Sequence, residues 1–131
     1  MKLKIPFVAA AVYLGLVAVG HLLAPVEMSA GIVPADASPG MVGFLRHYAA
    51  LFVGMAAVNW LARNAEPSVA RRAIVVADMM AFGLAALLDV VAVARGAGLS
   101  GLVPASINLV IAAMFATGRG AMLTTPGADR S

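Results

Sequence analysis

Four apolar stretches dominate the pattern of hydrophobic and polar positions along the chain. They cover residues 5–24, 41–62, 73–94 and 102–117, and polar or glycine- and proline-rich segments separate them. A helix of about 20 residues, at about 1.5 Å per residue, crosses the ~30 Å hydrocarbon layer of a membrane. None of the stretches alternates apolar and polar residues as the strands of a membrane barrel do. The pattern predicts an all-α integral membrane protein, a single domain over 1–131 with four transmembrane helices and a flexible tail over 118–131.

The segments between the spans are short, so consecutive spans are expected to be antiparallel neighbours in an up-down bundle. The first connection, 25–40, contains three prolines and two acids but no lysine or arginine. A signal peptide is an alternative interpretation of the first span, because it follows a basic start. The apolar run is long for a signal peptide, which favours a transmembrane helix.

Composition supports a membrane class and excludes several kinds of chemistry. Hydrophobic residues make up 63% of the chain and charged residues 11%, whereas a soluble domain is about half apolar and a quarter charged. The absence of cysteine excludes disulfides, thiol catalysis and zinc-thiolate sites. No nucleophile elbow, phosphate-binding loop or zinc-protease helix occurs. A non-enzymatic protein without a cofactor is therefore expected.

The basic residues predict an orientation rather than a nucleic-acid surface, because they lie at the ends of the spans. Two of the nine, Arg46 and Arg95, fall toward one side of the predicted bundle. The other seven fall on the opposite side: Lys2, Lys4, Arg63, Arg71, Arg72, Arg119 and Arg130. The positive-inside rule then places both termini in the cytoplasm. The expected location is the bacterial inner membrane, and no nucleic-acid partner is expected.

Polar residues inside the spans are the candidate functional residues, since ionisable groups are costly in a membrane. One predicted cluster lies in the outer half and comprises His21, Arg46, His47, Tyr48 and Asp89. A second pair, Asn59 and Asp78, lies in the inner half.

The third span allows two further predictions about these polar residues. Asp78 and Asp89 are eleven residues apart, which puts them on one helix face, and Ala77, Ala81 and Ala85 beside that face predict close helix approach. Comparable depths in the membrane predict an ion pair between Arg46 and Asp89.

The layout resembles small bacterial four-helix membrane proteins, including DoxX-like families. The features that carry the resemblance are Leu22 to Pro25 at the end of the first span, Arg46 followed by Tyr48, and the small-residue run from Val53 to Ala57. The resemblance covers residues 5–117. It implies a four-helix membrane fold, and it implies neither a common chemistry nor any catalytic residue.

Three functional hypotheses follow from these residues. The first is an accessory protein that forms a homo-oligomer or joins a larger membrane complex. The second is a binder or proton-coupled transporter of a small hydrophobic or cationic ligand that uses Asp78 and Asp89. The third is a haem or metal redox protein that uses His21 and His47.

Overall fold

The computed structural model describes residues 3–118 and consists of helices joined by short connections. The long helices are α1 (Lys4–Leu23), α3 (Pro39–Ala62), α4 (Val69–Ala94) and α5 (Leu102–Gly118), and a short helix α2 (Pro25–Met28) lies in the first connection. A 3-10 turn, Leu99–Gly101, leads into α5. The prediction of four helices long and apolar enough to cross a membrane is confirmed. Apart from Gly118, the predicted flexible tail lies outside the described residues.

Serine caps explain where two of the long helices begin. The Ser38 hydroxyl accepts a hydrogen bond from the Met41 backbone N–H at the start of α3. Ser68 does the same for the Arg71 N–H at the start of α4. Such caps satisfy backbone donors that the first helical turn leaves unpaired. With Ser68 as its cap, α4 begins at Val69, four residues before the predicted span at 73.

The helices form two close pairs, with α1 packed along α3 and α4 packed along α5. Phe7 near the start of α1 meets Phe115 near the end of α5, with ring centroids 5.2 Å apart, so these two helices run antiparallel. We call this end of the bundle, with Leu3, the 63–68 turn and Gly118, the terminal end. The opposite end, formed by residues 24–38 and 95–101, is called the loop end.

The main hydrophobic core lies toward the terminal end. Its buried members are Leu3, Phe7, Ala10, Leu14, Ala62, Val75, Phe82, Ile111 and Phe115. The Phe7 and Phe115 rings meet edge to face at 77°, an arrangement that adds to the value of their burial. The Arg71 guanidinium lies 5.3 Å from the Phe7 ring centroid on another side. This packing fixes the terminal ends of the helices.

Helices α3 and α4 are consecutive but have few close backbone contacts, which corrects the expectation of close approach along the alanines of α4. Ala77 and Ala81 line an open groove between α3 and α4. Ala85 lines an internal cavity. The small side chains of these alanines leave space beside α4, because side chains of α3 do not pack closely against them.

Candidate functional site

A cavity of about 320 Å³ lies between the four long helices. Its aromatic and polar lining residues come from every one of these helices: Tyr13, Tyr48, Phe52, Phe82, Asp89 and Asn108. We call it the central cavity. Ligand sites in proteins commonly combine an apolar, aromatic wall with a few converging polar groups, and the central cavity has this character.

The aromatic wall consists of two ring pairs. Tyr13 of α1 and Phe82 of α4 have ring centroids 6.2 Å apart. Tyr48 and Phe52 of α3 meet edge to face at 5.1 Å and 90°. The faces of aromatic rings carry negative potential and attract cations. The wall is therefore suited to a cation that also has an apolar body.

Asp89 supplies the negative charge of the cavity. Its Oδ2 accepts a hydrogen bond from Asn108 Nδ2 of α5 at 3.1 Å, and both side chains lie close to Tyr13. A carboxylate can accept up to about four hydrogen bonds. One bond from Asn108 fixes the Asp89 side chain and leaves acceptor capacity for a ligand.

A second cavity of about 280 Å³ lies at the loop end and shares Asp89 and Pro104 with the central cavity. We call it the vestibule. Glu27 also lines it, and no lysine or arginine among residues 3–118 does. Asp89 thus lines two neighbouring cavities, and the charged residues that line the vestibule, Glu27 and Asp89, are both acidic. Clefts of one charge sign raise the local concentration of ligands of the opposite sign.

The inner-half pair forms a separate polar contact between α3 and α4. Asn59 Nδ2 donates a hydrogen bond to Asp78 Oδ1 at 3.2 Å and another to the Met55 carbonyl at 3.0 Å. Both polar residues line the α3–α4 groove of about 450 Å³. The structure therefore joins the two residues that the sequence placed at one depth.

The predicted outer cluster is divided by the fold. Tyr48 and Asp89 both line the central cavity. Arg46 and His47 are exposed on α3 and line neither the central cavity nor the vestibule. His21 is partly buried, with its ring centroid 5.9 Å from that of Phe52.

The predicted ion pair between Arg46 and Asp89 is not formed. The Arg46 side chain is exposed, whereas Asp89 takes its hydrogen bond from Asn108. A long arginine can reach the membrane surface from inside a helix end, so it needs no carboxylate partner. The shorter Asp89 side chain cannot reach the membrane surface, and the Asn108 amide of α5 donates a hydrogen bond to it instead.

The two histidines lie on different helices, His21 on α1 and His47 on α3. His21 Nδ1 lies 2.9 Å from the Val17 carbonyl oxygen, one helical turn earlier. His47 is exposed on α3. Within residues 3–118 no group of three or more histidines, aspartates or glutamates is close enough to hold a metal ion. The residues of this part of the chain give the redox hypothesis no further support.

Sequence reasoning missed Asn108, Tyr13, Phe52 and Phe82 as site residues. A signal for Asn108 was present, because it lies six residues after the start of α5 and Asp89 lies five residues before the end of α4. Equal depth on two adjacent antiparallel helices predicts contact. The aromatic residues carry no such signal, since a phenylalanine or tyrosine in an apolar span equally suits core packing or lipid.

Comparisons with known proteins add no information about this site. No protein-family model, no curated protein and no solved structure matches the chain. The resemblance to DoxX-like proteins accordingly stays a prediction.

Proposed function

We propose that the protein binds a small organic cation with an apolar body in the central cavity. The observation that carries the proposal is the placement of Asp89 within an aromatic wall built by three helices. A cation in this position would meet a carboxylate together with the aromatic rings that line the cavity. Cation–π contacts contribute about 0.5–2 kcal/mol each, with the larger values in desolvated sites.

The position of Asp89 also supports a route for the ligand. The vestibule lies at the loop end and is lined by both Glu27 and Asp89, whose acidic side chains favour a cation. Beyond Asp89 the lining becomes mainly aromatic and aliphatic. Glu27 would attract the positive charge of an entering ligand. In the central cavity the ligand would then lose its water and contact the aromatic rings and the Asp89 carboxylate.

The location of the site is tested by binding of radiolabelled phenyltrimethylammonium to the full chain in lipid nanodiscs. Ala85 lines the central cavity, so Ala85→Phe should fill it and abolish saturable binding. Gly43→Leu is the matched control, because a Cβ at Gly43 meets no atom within 4 Å, and it should bind as the native protein does. Unchanged binding by a folded Ala85→Phe variant would place the ligand elsewhere.

For the membrane setting, we propose the bacterial inner membrane with both termini in the cytoplasm. The described basic residues at the terminal end, Lys4, Arg63, Arg71 and Arg72, support this orientation by the positive-inside rule. The vestibule would then open toward the periplasm. A periplasm-dependent reporter should be active when inserted at Asp36 and silent when fused after Ser131, and the reverse pattern would overturn the orientation.

A second candidate function is that of an accessory subunit that docks through α3. In the most apolar 18-residue window of α3 only 6% of the residues are buried, compared with 22–33% in the other three long helices. Because so few residues of α3 are buried, the side of α3 that faces away from α1 can offer a surface to another membrane helix. Cross-linking in native membranes from positions on α3 tests this, and recovery of the uncross-linked monomer alone would remove it.

A further inference from the structure

We infer that the groove between α3 and α4 is a second ligand site, which binds the protonated primary amine of a molecule dissolved in the membrane. The groove borders the central cavity at Met55 and Ala81, but its polar residues are different ones, and the inference does not depend on the function proposed for that cavity. The inference stands on two unpartnered polar atoms at the groove and on the apolar character of the remaining lining.

The two atoms are acceptor oxygens of the Asn59–Asp78 pair. Both hydrogens of the Asn59 amide are used, one by the Met55 carbonyl and one by Asp78 Oδ1. Asn59 Oδ1 and Asp78 Oδ2 are buried without a hydrogen-bond partner among residues 3–118. The two side chains are only 1% and 4% exposed. A buried polar group without a hydrogen bond destabilises the protein, so a ligand that supplies donors here gains affinity.

The two unpartnered oxygens determine which polar head group of a ligand fits the site. Two separate oxygens need at least two donors, and one oxygen belongs to a carboxylate. A primary ammonium has three N–H donors and a positive charge, so it can serve both oxygens and neutralise Asp78. An alcohol has only one donor and no charge, and a quaternary ammonium has no donor. The site should therefore discriminate among three heads carried on the same alkyl chain.

The rest of the groove suits the apolar chain of such a molecule. Its other lining residues are all apolar. Four of them are small residues from the two helices: Ala50, Gly54, Ala77 and Ala81. All four are exposed at the flank of the bundle, within helices apolar enough to cross a membrane. The groove therefore opens sideways toward lipid, and a ligand would reach it from the bilayer.

Met55 borders the Asn59–Asp78 pair in the groove. It lines both the groove and the central cavity, and its carbonyl holds the Asn59 amide. Its unbranched thioether side chain adapts its shape more easily than a β-branched residue would. Movement of this side chain would let the groove adapt to the head of a ligand.

The test uses the full chain in lipid nanodiscs at neutral pH and a dodecylamine probe that carries a diazirine on its alkyl chain. Irradiation should label peptides of α3 and α4 that line the groove. Dodecylamine should compete with the probe at least about tenfold better than dodecanol or dodecyltrimethylammonium, a preference of about 1.4 kcal/mol. Equal competition by the three compounds would overturn the inference, because it would show binding by the alkyl chain alone.

Two variants place the probe, and each has a matched control. Gly54→Leu should block labelling, because a Cβ there meets no atom within 4 Å and the side chain would occupy the groove. Gly43→Leu, the same substitution at another open position of α3, should leave labelling unchanged. Asp78→Asn should remove the preference for the amine, whereas Asp36→Asn, the same substitution at an exposed position of the first connection, should retain it. Labelling that persists in the Gly54→Leu protein would contradict the site even if Asp78→Asn failed to fold.

Discussion

Asn108 Nδ2 lies 3.1 Å from Asp89 Oδ2 and links α5 to α4. A similar bond, from Asn59 to Asp78, links α3 to α4. In both pairs the asparagine and the aspartate are 19 positions apart in the chain. Helix α4 therefore carries two carboxylates, and each is held by an asparagine from a different flanking helix. The two bonds therefore tie one face of α4 to a different helix at each depth, with the groove and the central cavity beside them.

A double-mutant cycle tests the bond between Asp89 and Asn108. We expect Asp89→Ala and Asn108→Ala each to lower the midpoint of thermal unfolding in detergent, because each leaves its partner without a hydrogen bond. The double variant should lose less than the sum of the two effects, by about 0.5–3 kcal/mol of coupling.

The same cycle on Arg46 and Asp89 provides the control. Arg46 is exposed, so its substitution by alanine should add independently to Asp89→Ala, within about 0.5 kcal/mol. A larger coupling for the Arg46 pair than for the Asn108 pair would contradict the arrangement of the site.

The bond between Asn59 and Asp78 predicts a different response to truncation. Asn59→Leu should destabilise the protein by about 1–3 kcal/mol, because it leaves a buried carboxylate without its amide donor. The combined replacement Asn59→Leu and Asp78→Leu should recover much of that loss, since no unsatisfied polar group then remains. Unfolding midpoints of the three proteins in one detergent decide this, and a double variant less stable than Asn59→Leu would refute it.

The core at the terminal end should depend strongly on Phe115. This side chain is fully buried and packs edge to face on Phe7, so Phe115→Ala should cost about 3–5 kcal/mol through lost packing. Phe44→Ala is the matched control, because Phe44 is 63% exposed and its loss should cost little. Equal shifts in the unfolding midpoint would mean that this core does not hold the bundle together.

Glu27 should affect how fast a cation arrives more than how tightly it is held. It lines the vestibule but not the central cavity. Glu27→Gln should therefore slow association of phenyltrimethylammonium at low salt and weaken the dependence of that rate on salt, with little change in dissociation. Stopped-flow binding at two ionic strengths measures both rates. A change confined to the dissociation rate would place Glu27 in direct contact with the bound ligand.

The sequence was enough to predict the four long helices. It was not enough to predict which side chains of different helices would be in contact. Apolar length alone defines a segment able to cross a membrane, and the caps at Ser38 and Ser68 settle where α3 and α4 begin. Which helix faces a given side chain depends on packing between helices, and in these spans apolar residues occur on every face. Arg46 and Asp89 have similar depths in their spans. That similarity could not show that Arg46 is exposed on the outside of the bundle while Asp89 lines the central cavity.

The aromatic wall illustrates the same limit. Tyr13, Phe52 and Phe82 come from three helices, and no local pattern in the chain marks them as neighbours. The Asn59–Asp78 contact could be anticipated because only a short turn joins α3 to α4. A shared depth near such a turn restricts the partner, whereas a shared cavity wall requires the arrangement of all four long helices.

The central claim is that the central cavity recognises positive charge through Asp89. The most direct measurement compares the affinity of the native protein for phenyltrimethylammonium with that for its uncharged isostere tert-butylbenzene, and repeats the comparison for Asp89→Asn. We predict that the native protein prefers the cation by at least about tenfold, or about 1.4 kcal/mol, and that most of this preference disappears in the variant. Equal affinity of the native protein for the two compounds, or an unchanged preference in Asp89→Asn, would contradict the claim.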